Sequence, residues 1–397
     1  MSTHHPQSAL RGLDRRDFLG LSVGSAAATG LAWASPAPAG LFAGGAERIR
    51  IGLVGCGGRG TGAALHALAL DGAARVTHMA DLFPDQIASS VAMLQAGAAA
   101  GFDCPPARRF VGGEAWRRVI EADVDLVILA TPPCSRPETV AAAVAAGRHV
   151  YCEKPAAVDV AGVRTVAAAA AAARRAGLSL VSGLCLRHDP ATREWMDRIH
   201  DGVVGRPLAV GVHAATGMPW RIPTRPGWSA ADERLRNWIS HVDLSGGHLV
   251  EHHIHALDAA LWALGDDLPD VAAPLAWPPS QPVTGGGCPA ETAVRFGWRD
   301  GRSVTAVISR RETTTPGTDE TLLGTAGRIG LRPPAVAGCP WRAAMSDLLA
   351  AIRAGTPADD GPVLCRATLT AVMGRLAAET GRPVRRPALD ESPLPSA

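Results

Sequence analysis

A glycine-rich turn between an apolar run and a helical pattern constrains the fold of this chain more than any other feature. Residues 49–54 read IRIGLV, which is typical of a buried strand, and residues 55–60 then read GCGGRG. A helical pattern follows through Leu65 and Leu68. In this strand–turn–helix context, the spacing G-x-G-x-x-G lets a pyrophosphate approach the backbone N–H groups of a helix N-terminus. The sequence therefore predicts a dinucleotide site at Gly55, Gly57, Gly58, Arg59 and Gly60.

An acidic residue at the end of the second predicted strand indicates which dinucleotide is bound. Residues 74–80 form this strand, and Asp81 follows it about 20 residues past the glycines, as the dinucleotide fingerprint expects. A carboxylate there accepts a hydrogen bond from a ribose 2′-hydroxyl and repels a 2′-phosphate. We therefore predict NAD rather than NADP. Asp81 could also cap the helix that begins near Phe83 and Pro84, and the two roles are compatible.

Strands and helices then alternate, which predicts an α/β fold with a doubly wound parallel sheet. The apolar run 124–130 is the strongest strand signal, and the helical segment 138–146, the strand 148–151, the helix 158–176 and the strand 178–181 follow. Ligands of such sheets bind at the carboxyl ends of the strands. Further cofactor contacts are therefore expected from the residues that follow two of these strands, namely Thr131, Pro132, Glu153 and Lys154.

Lys154 is the only lysine in the 397 residues, although lysine and arginine together number 39. Arginine cannot replace lysine where a compact ammonium must fit or must exchange a proton. Lys154 also lies at a strand end and precedes Pro155. We therefore expect it to have a functional role.

Composition excludes several classes of partner. The net charge is +2 and 19% of residues are charged, so no polybasic face supports binding to nucleic acid or to bulk membrane. The eight cysteines contain no C-x-x-C pair, so neither a zinc knuckle nor a disulfide framework is indicated.

The first residues resemble a signal for export rather than part of the fold. Arg15 and Arg16 lie in the run DRRDFL, a Gly/Ala-rich apolar stretch follows over residues 19–34, and small residues near Ala34 and Ala39 offer cleavage sites. We predict a twin-arginine signal peptide and linker over residues 1–43, and a periplasmic protein. The alternative is a disordered tail that carries an arginine pair by chance.

An aromatic, arginine-rich segment over residues 218–238, here called the aromatic loop, is a candidate for substrate binding. Aromatic faces with polar groups suit the C–H faces and hydroxyls of a sugar, although the same residues could simply stack on the second domain. The substrate contacts predicted here and nearby are Arg187, Trp220, Arg225, Trp228, Asn237, Trp238 and His252.

A histidine-rich helical pattern over residues 249–262 supplies the remaining candidates. Glu251, His255 and Asp258 are separated by four and three residues, which predicts that they share one helix face. Two β-rich runs, 292–298 and 303–309, then predict a hairpin, and helices are expected near 341–354 and 366–380.

These motifs resemble the Gfo/Idh/MocA family of oxidoreductases. The resemblance rests on the glycine turn, on Glu153-Lys154-Pro155 and on the Glu251-x-x-x-His255-x-x-Asp258 helix, and it covers residues 47–386. It implies an NAD-binding Rossmann domain over 47–187, and a C-terminal α/β domain over 188–386 with an open, mainly antiparallel sheet. Residues 387–397 would be a tail. Members often form homodimers or homotetramers through the open sheet, and they usually have Asp where this chain has Glu251.

With the resemblance, the predicted chemistry is hydride transfer between NAD and a hydroxyl of a carbohydrate. His255 is the expected base, Lys154 the cation near the developing alkoxide, and Glu251 the group that orients His255. No metal is expected. Three alternatives are weighed: an NAD-dependent glycoside hydrolase or lyase that oxidises its substrate transiently, a sensor that holds NAD without turnover, and a zinc peptidase-like site. The last rests on the H-x-x-E-H pattern of residues 248–252, with His255 as a third ligand.

Overall fold

The alternating strands and helices of the first half form one parallel sheet. The structure is a computed structural model that describes residues 48–275, 291–310, 317–334 and 338–386. The strands of the first sheet are β1 (Ile49–Val54), β2 (Ala74–Asp81), β3 (Arg109–Val111), β4 (Leu126–Leu129), β5 (His149–Cys152) and β6 (Leu180–Ser182). They lie in the order β3-β2-β1-β4-β5-β6, and every pairing is parallel. This is the strand order of dinucleotide-binding folds, with its reversal between β1 and β4.

Helices cover both faces of this sheet. They are α1 (Gly58–Leu70), α2 (Pro84–Ala98), α3 (Ala115–Glu121), α4 (Arg136–Ala145) and α5 (Val160–Arg175). Residues of alternate strand positions enter two separate apolar cores, since Leu126 and Ile128 face one side and Val127 and Leu129 the other. Burial on both faces explains why residues 124–130 form a continuous apolar run.

The second sheet is mixed but mainly antiparallel. Its strands are β7 (Pro207–Thr216), β8 (Val271–Pro274), β9 (Glu291–Gly297), β10 (Ser303–Arg310), β11 (Gly317–Gly324), β12 (Gly327–Gly330) and β13 (Val384–Arg385). Their order is β12-β11-β7-β10-β9-β8-β13, and only the pair of β7 with β10 is parallel. The predicted hairpin is the β9–β10 pair, in which Gly297 lies opposite Ser303. The predicted fold class, a parallel Rossmann sheet with a second, mainly antiparallel sheet, is thus confirmed.

The remaining helices pack mostly between and around the two sheets. They are α6 (Pro190–His200), α7 (Ala230–Arg236), α8 (Val242–Ser245), α9 (Gly247–Glu251), α10 (Ile254–Ala263), α11 (Pro340–Ala354) and α12 (Gly361–Thr380). One face of the second sheet packs on α10 and α12, as the buried side chains of Val212, Val294, Ala306 and Ile308 indicate. On the other face, His213 and Arg295 are exposed.

The last two helices return to the first sheet. In α11, the side chains of Ala344, Met345, Leu348 and Leu349 complete the core beneath β1, β4 and α1. An ion pair of Arg353 with Asp71, 2.8 Å long, fixes α11 to the end of α1. Helix α11 belongs to the second half of the chain but packs in a core of the first sheet. The predicted domain boundary between residues 187 and 188 remains a prediction. The predicted signal peptide and C-terminal tail lie outside the described residues. No described helix has the length and apolar character needed to cross a membrane.

Candidate active site

The glycine turn leaves open space at the N-terminus of α1. Gly55 has a φ of 91°, and a Cβ there would lie 2.7 Å from the backbone of Ala130. A Cβ at Gly60 would overlap the carbonyl oxygen of Gly55, so both positions require glycine. Among the residues that the structure describes, no atom lies within 4 Å of a would-be Cβ at Gly57, and no side chain caps α1, whose first residue is Gly58. This open, uncapped helix N-terminus fits the pyrophosphate of a dinucleotide.

Asp81 connects the glycine turn to the start of α2. Its Oδ2 accepts a hydrogen bond from Cys56 N (2.7 Å), and its Oδ1 accepts one from Phe83 N (2.9 Å). Burial raises the pKa of the Asp81 carboxyl, while the two backbone donors oppose this effect. Each carboxylate oxygen can accept more than one hydrogen bond, so Asp81 can hold the turn and still accept from a ribose hydroxyl. The alternative role expected for Asp81, capping this helix, is wrong, because the N-cap is Phe83 and no described side chain caps α2; the contact with ribose remains a prediction.

A buried arginine that the sequence did not single out joins the loops after β4 and β5. Arg136 Nε donates to the Thr131 carbonyl (3.0 Å), and Nη1 donates to the Pro155 carbonyl (2.6 Å). Burial lowers the pKa of Arg136, and the negative charges of nearby acidic groups oppose this. Pro132 lies in the loop after β4, and the Thr131 hydroxyl accepts from Ser135 at 2.9 Å. No sequence signal distinguishes Arg136 from other arginines at helix starts. Its partners are backbone carbonyls, and the fold brings them close.

Glu153 is a buried support for the site rather than an exposed ligand. It is 2% exposed, and its Oε1 lies 3.3 Å from Arg59 Nε and 3.4 Å from the Tyr151 hydroxyl. Its Oε2 accepts from the backbone N–H of Lys154 (3.3 Å). A Cβ at Gly183 would overlap this carboxylate, so glycine is needed beside it. Through Glu153, the predicted pyrophosphate contact Arg59 is connected to the segment that carries the lysine.

The side chain of Lys154 meets Glu251, which is 97 positions later in the chain. Lys154 Nζ donates to Glu251 Oε1 at 3.0 Å and also to the Glu251 backbone carbonyl. The side chains are only 15% and 14% exposed, so solvent screens this ion pair weakly. Burial raises the pKa of Glu251, but the charge and hydrogen bond of Lys154 outweigh it and the net pKa is lowered. Glu251 is therefore ionised at neutral pH.

His255 lies near this ion pair but is not bonded to it. Its imidazole is half-buried in the first turn of α10, and no hydrogen bond to it is found among the described residues. Burial lowers the pKa of His255 well below its usual value, and the positive charge of Lys154 lowers it further. The imidazole is thus neutral at pH 7 and can accept a proton. The role expected for Glu251, orienting His255, is not seen, because Glu251 is bound to Lys154.

The expectation of one continuous helix over residues 249–262 is wrong. Helix α9 ends at Glu251 and α10 begins at Ile254, so Glu251 and His255 do not share a face. The interruption brings the Nε2 atoms of His248 and His253 to 3.0 Å. In a regular helix these residues, five positions apart, would point about 140° away from each other. The buried histidine pair thus requires the break.

The same break removes the arrangement that a zinc site would need. His248 Nε2 contacts both His253 and the Thr216 hydroxyl (3.1 Å), while Glu251 is bonded to Lys154. Within the described ranges, no group of three or more His, Cys, Asp or Glu side chains is arranged to hold a metal ion. The exposed side chain of His252, a predicted substrate contact, stacks on His248 with ring centroids 5.3 Å apart.

Two predicted substrate contacts are engaged by other groups of the protein. Arg187 binds Asp258 (2.7 Å) and Asp266 (2.6 Å), and its guanidinium lies over the Trp262 ring. Asn237 uses its amide to pair with both backbone groups of Ile222, so it fixes the aromatic loop. We assign both residues a structural role. The carboxylate of Asp258, the third residue of the expected helix face, is bound by Arg187.

The other predicted substrate contacts in the aromatic loop form two groups. Trp220 and Trp238 meet edge to face with centroids 6.1 Å apart, and Trp220 is 37% exposed. Trp228 lies against Arg225 and Arg236. The first group remains available to a ligand, whereas Trp228 packs on Arg236, which is paired with Asp85 at the start of α2.

Comparison with known proteins finds relatives that match about a third of the chain. The chain is 33% identical over 147 residues to a 1,5-anhydro-D-fructose reductase of Ensifer adhaerens, which covers 37% of this chain and 40% of that protein. It is 32% identical over 143 residues to a 2,7-anhydro-N-acetylneuraminate hydratase of Escherichia coli, covering 36% of this chain and 34% of the relative. The chain thus spans less than half the length of these relatives.

The solved structure of scyllo-inositol dehydrogenase from Lactobacillus casei, with bound NAD(H) and scyllo-inositol, has the same fold. Its TM-score is 0.63 at 18% identity, with 85% of this chain and 99% of that chain covered. Residues 49–180 match the model of the Gfo/Idh/MocA family, described as an oxidoreductase family with an NAD-binding Rossmann fold. The prediction of NAD is thereby confirmed, and residues 49–180 of this chain are similar to the Gfo/Idh/MocA family of oxidoreductases.

Proposed function

We propose that this protein is an NAD-dependent oxidoreductase that acts on a hydroxyl of a sugar, polyol or related carbohydrate. The pairing of Lys154 with Glu251 carries the proposal, because it brings the only lysine of the chain to the segment that bears His255. The family of the Rossmann domain supports the reaction type. The names of relatives, which include an anhydrofructose reductase and an inositol 2-dehydrogenase, support the substrate class.

The residues present account for the movement of the proton. When bound, NAD supplies the acceptor for the hydride that leaves the alcohol carbon. His255, neutral because of burial and the Lys154 charge, accepts the hydroxyl proton. The Lys154 ammonium stabilises the negative charge that develops on the oxygen. Glu251 is a positioning residue that holds Lys154 in place.

The cofactor and substrate would be held by different parts of the chain. Gly57, the N-terminus of α1 and Asp81 would hold the pyrophosphate and ribose of NAD, and Arg59, in the first turn of α1, would supply a positive charge. For the carbohydrate, we propose the exposed groups Trp220 and His252 together with the half-buried Trp238. This choice follows from the structural engagement of Arg187 and Asn237 described above.

A second candidate reaction is the cleavage or hydration of a carbohydrate by transient oxidation. The hydratase among the relatives favours it. The two reactions are distinguished by their products, because a dehydrogenase accumulates NADH, whereas the redox-assisted reaction changes its substrate without net reduction of NAD.

The test is a single-turnover assay of the bound cofactor with free sugars, polyols and glycosides. The variants are Lys154→Arg, His255→Ala and Glu251→Gln, with His213→Ala, an exposed histidine on β7, as the matched control. Loss of the cation or the base should each slow turnover by about 10² to 10⁴, the range for a positioned proton-transfer group. NAD affinity should survive in His255→Ala, since the predicted pyrophosphate and ribose contacts lie elsewhere. Near-normal rates in both Lys154→Arg and His255→Ala would reject the assignment.

We further propose that the protein is exported by the twin-arginine route and acts in the periplasm. The DRRDFL run at Arg15 and Arg16 is the basis. Replacing both arginines by lysine should leave unprocessed protein in the cytoplasm, as detected by fractionation and mass spectrometry of the N-terminus. Unchanged export of that variant would contradict the proposal.

The protein is also proposed to form a homodimer or homotetramer through the second sheet. One face of this sheet leaves His213 and Arg295 exposed, and Leu323 of β11 is 48% exposed. Light scattering of the purified protein tests this, and a monomer at micromolar concentration would contradict it.

A further inference from the structure

Arg236 connects the aromatic loop to the start of α2. Its two terminal nitrogens donate to the two oxygens of Asp85, at 2.9 and 2.8 Å. Its guanidinium also lies between two aromatic rings, 3.8 Å from the centroid of Phe83 and 4.3 Å from that of Trp228. A paired arginine between two aromatic faces combines a bidentate ion pair with cation–π contacts.

This contact lies beside the position expected for the ribose of NAD. Phe83 follows Asp81 by two residues, and its backbone N–H donates to the Asp81 carboxylate. The charge of Arg236 also reaches Asp81, where it opposes the increase in pKa that burial causes. Two separate observations therefore place Arg236 at the adenosine end of the cofactor site.

The Arg236 side chain is nearly removed from solvent. It is 9% exposed, and its Nε is buried without a hydrogen-bond partner among the described residues. A buried donor that lacks an acceptor costs free energy, and a ligand beside Asp81 could supply the acceptor. The terminal nitrogens of Arg236 are thus paired with Asp85, while its Nε–H can still donate a hydrogen bond to a ligand.

We propose that Arg236 is a latch that holds the aromatic loop over the adenosine half of NAD and slows release of the cofactor. The proposal rests on the proposed NAD-dependent function of the same site. The pairing of Asn237 with Ile222 and the Trp220–Trp238 contact connect the two ends of the aromatic loop to each other, so we expect the loop to move as one piece. Breaking the contact with Asp85 and Phe83 should therefore release the whole loop from α2.

A latch of this kind suits an enzyme that keeps its cofactor between turnovers. An ion pair and cation–π contacts must break before the loop leaves α2, and they re-form when it returns. These contacts are made between protein groups and need not change when NAD is oxidised or reduced. The latch should therefore slow release of both forms.

The test measures the release of NADH from the purified full-length protein. The protein is loaded with NADH, an excess of NAD is added, and the loss of bound-NADH fluorescence gives the dissociation rate. Arg236→Ala should raise this rate about tenfold, the size expected for the loss of a partly buried ion pair with cation–π contacts. Asp85→Asn should raise it less, because the guanidinium keeps its place between the rings. The double variant should release NADH no faster than Arg236→Ala, since both changes break one contact.

Two further variants make the result decisive. Arg234→Ala is the matched control, because Arg234 lies on the same helix but bonds to His241 and Asp243 rather than to α2. Asp81→Ala reports on the cofactor site itself and should weaken NADH binding whether or not the latch exists.

Fast release in Arg236→Ala, with normal release in Arg234→Ala, supports the latch. Unchanged release in Arg236→Ala, or equal acceleration in Arg234→Ala, overturns it while leaving the NAD site intact. If Asp81→Ala binds NADH normally, the cofactor site is misplaced and the proposed function fails with it. Should Arg236→Ala not fold, Asp85→Asn decides, and unchanged release in that variant overturns the latch.

Discussion

His188 should make the stability of this protein fall as the pH rises from 7 to 9. Its Nδ1 lies 2.8 Å from Asp347 and its Nε2 lies 2.9 Å from Asp360, and the imidazole is 5% exposed. It therefore links the segment after β6 to α11 and to the residue before α12. Replacing it with asparagine should leave the two carboxylates without their shared cation.

The magnitude follows from the pKa of His188. Burial alone would lower it, but the hydrogen bonds and charges of Asp347 and Asp360 raise it from 6.5 to about 9. Because the folded-state pKa is the higher one, the contribution to stability is fully present below pH 6.5 and is lost as the pH rises through 9. At 1.36 kcal/mol per pH unit, the two values give about 2.5 kcal/mol at pH 7 and less than about 0.5 kcal/mol at pH 9.

The assay is urea unfolding of the wild type and of His188→Asn at pH 7 and pH 9. The difference in free energy of unfolding between the two proteins should shrink by about 2 kcal/mol over this range. His149→Asn is the control, because burial lowers the pKa of His149 and its protonation changes below this range. If the difference between wild type and His188→Asn is the same at both pH values, the proposed charge on His188 is refuted.

The cofactor site yields three further predictions. Gly57→Ala should keep the melting temperature but weaken NAD binding by calorimetry, whereas Gly60→Ala should lower the melting temperature, because only its Cβ would overlap backbone. Asp81→Ala should weaken NAD and relax discrimination against NADP in parallel titrations, and tightly bound NADP in the purified wild type would contradict this. Because the pKa values of His255 and Glu251 are both lowered, activity should not decline between about pH 7 and 6, and a steep acid-side loss in a pH–rate profile would contradict their assigned protonation states.

Several interactions of the candidate site could not be predicted from the sequence. The helical pattern around Glu251 was correctly recognised, but the break before Ile254 was not. That break depends on the pairing of His248 with His253 and on contacts with Thr216, which is 32 positions away from His248. The spacing of apolar residues does not report polar contacts between distant segments, so it could not predict the break.

The partners of several polar and aromatic side chains in the second half of the chain also could not be predicted from the sequence. In the aromatic loop, Asn237 and Trp228 were among the predicted substrate contacts, yet Asn237 bonds within the loop itself and Trp228 packs on Arg236. Arg187 was expected at the substrate, but the fold pairs it with Asp258 and Asp266, 71 and 79 positions away.

The sequence by itself determined the parallel sheet and the cofactor NAD, and it predicted where NAD binds and that Lys154 has a functional role. These features depend on contiguous residues: a strand, a turn and a helix in succession, an acidic strand end, and a single lysine at another strand end. Only the tertiary structure decided that Glu251 pairs with Lys154 rather than with His255, that Arg136 joins the loops after β4 and β5, and that Arg236 pairs with Asp85. The physical reason is that local geometry is set by neighbouring residues, whereas the partner of a buried charge is set by which distant segments the fold brings within hydrogen-bonding distance.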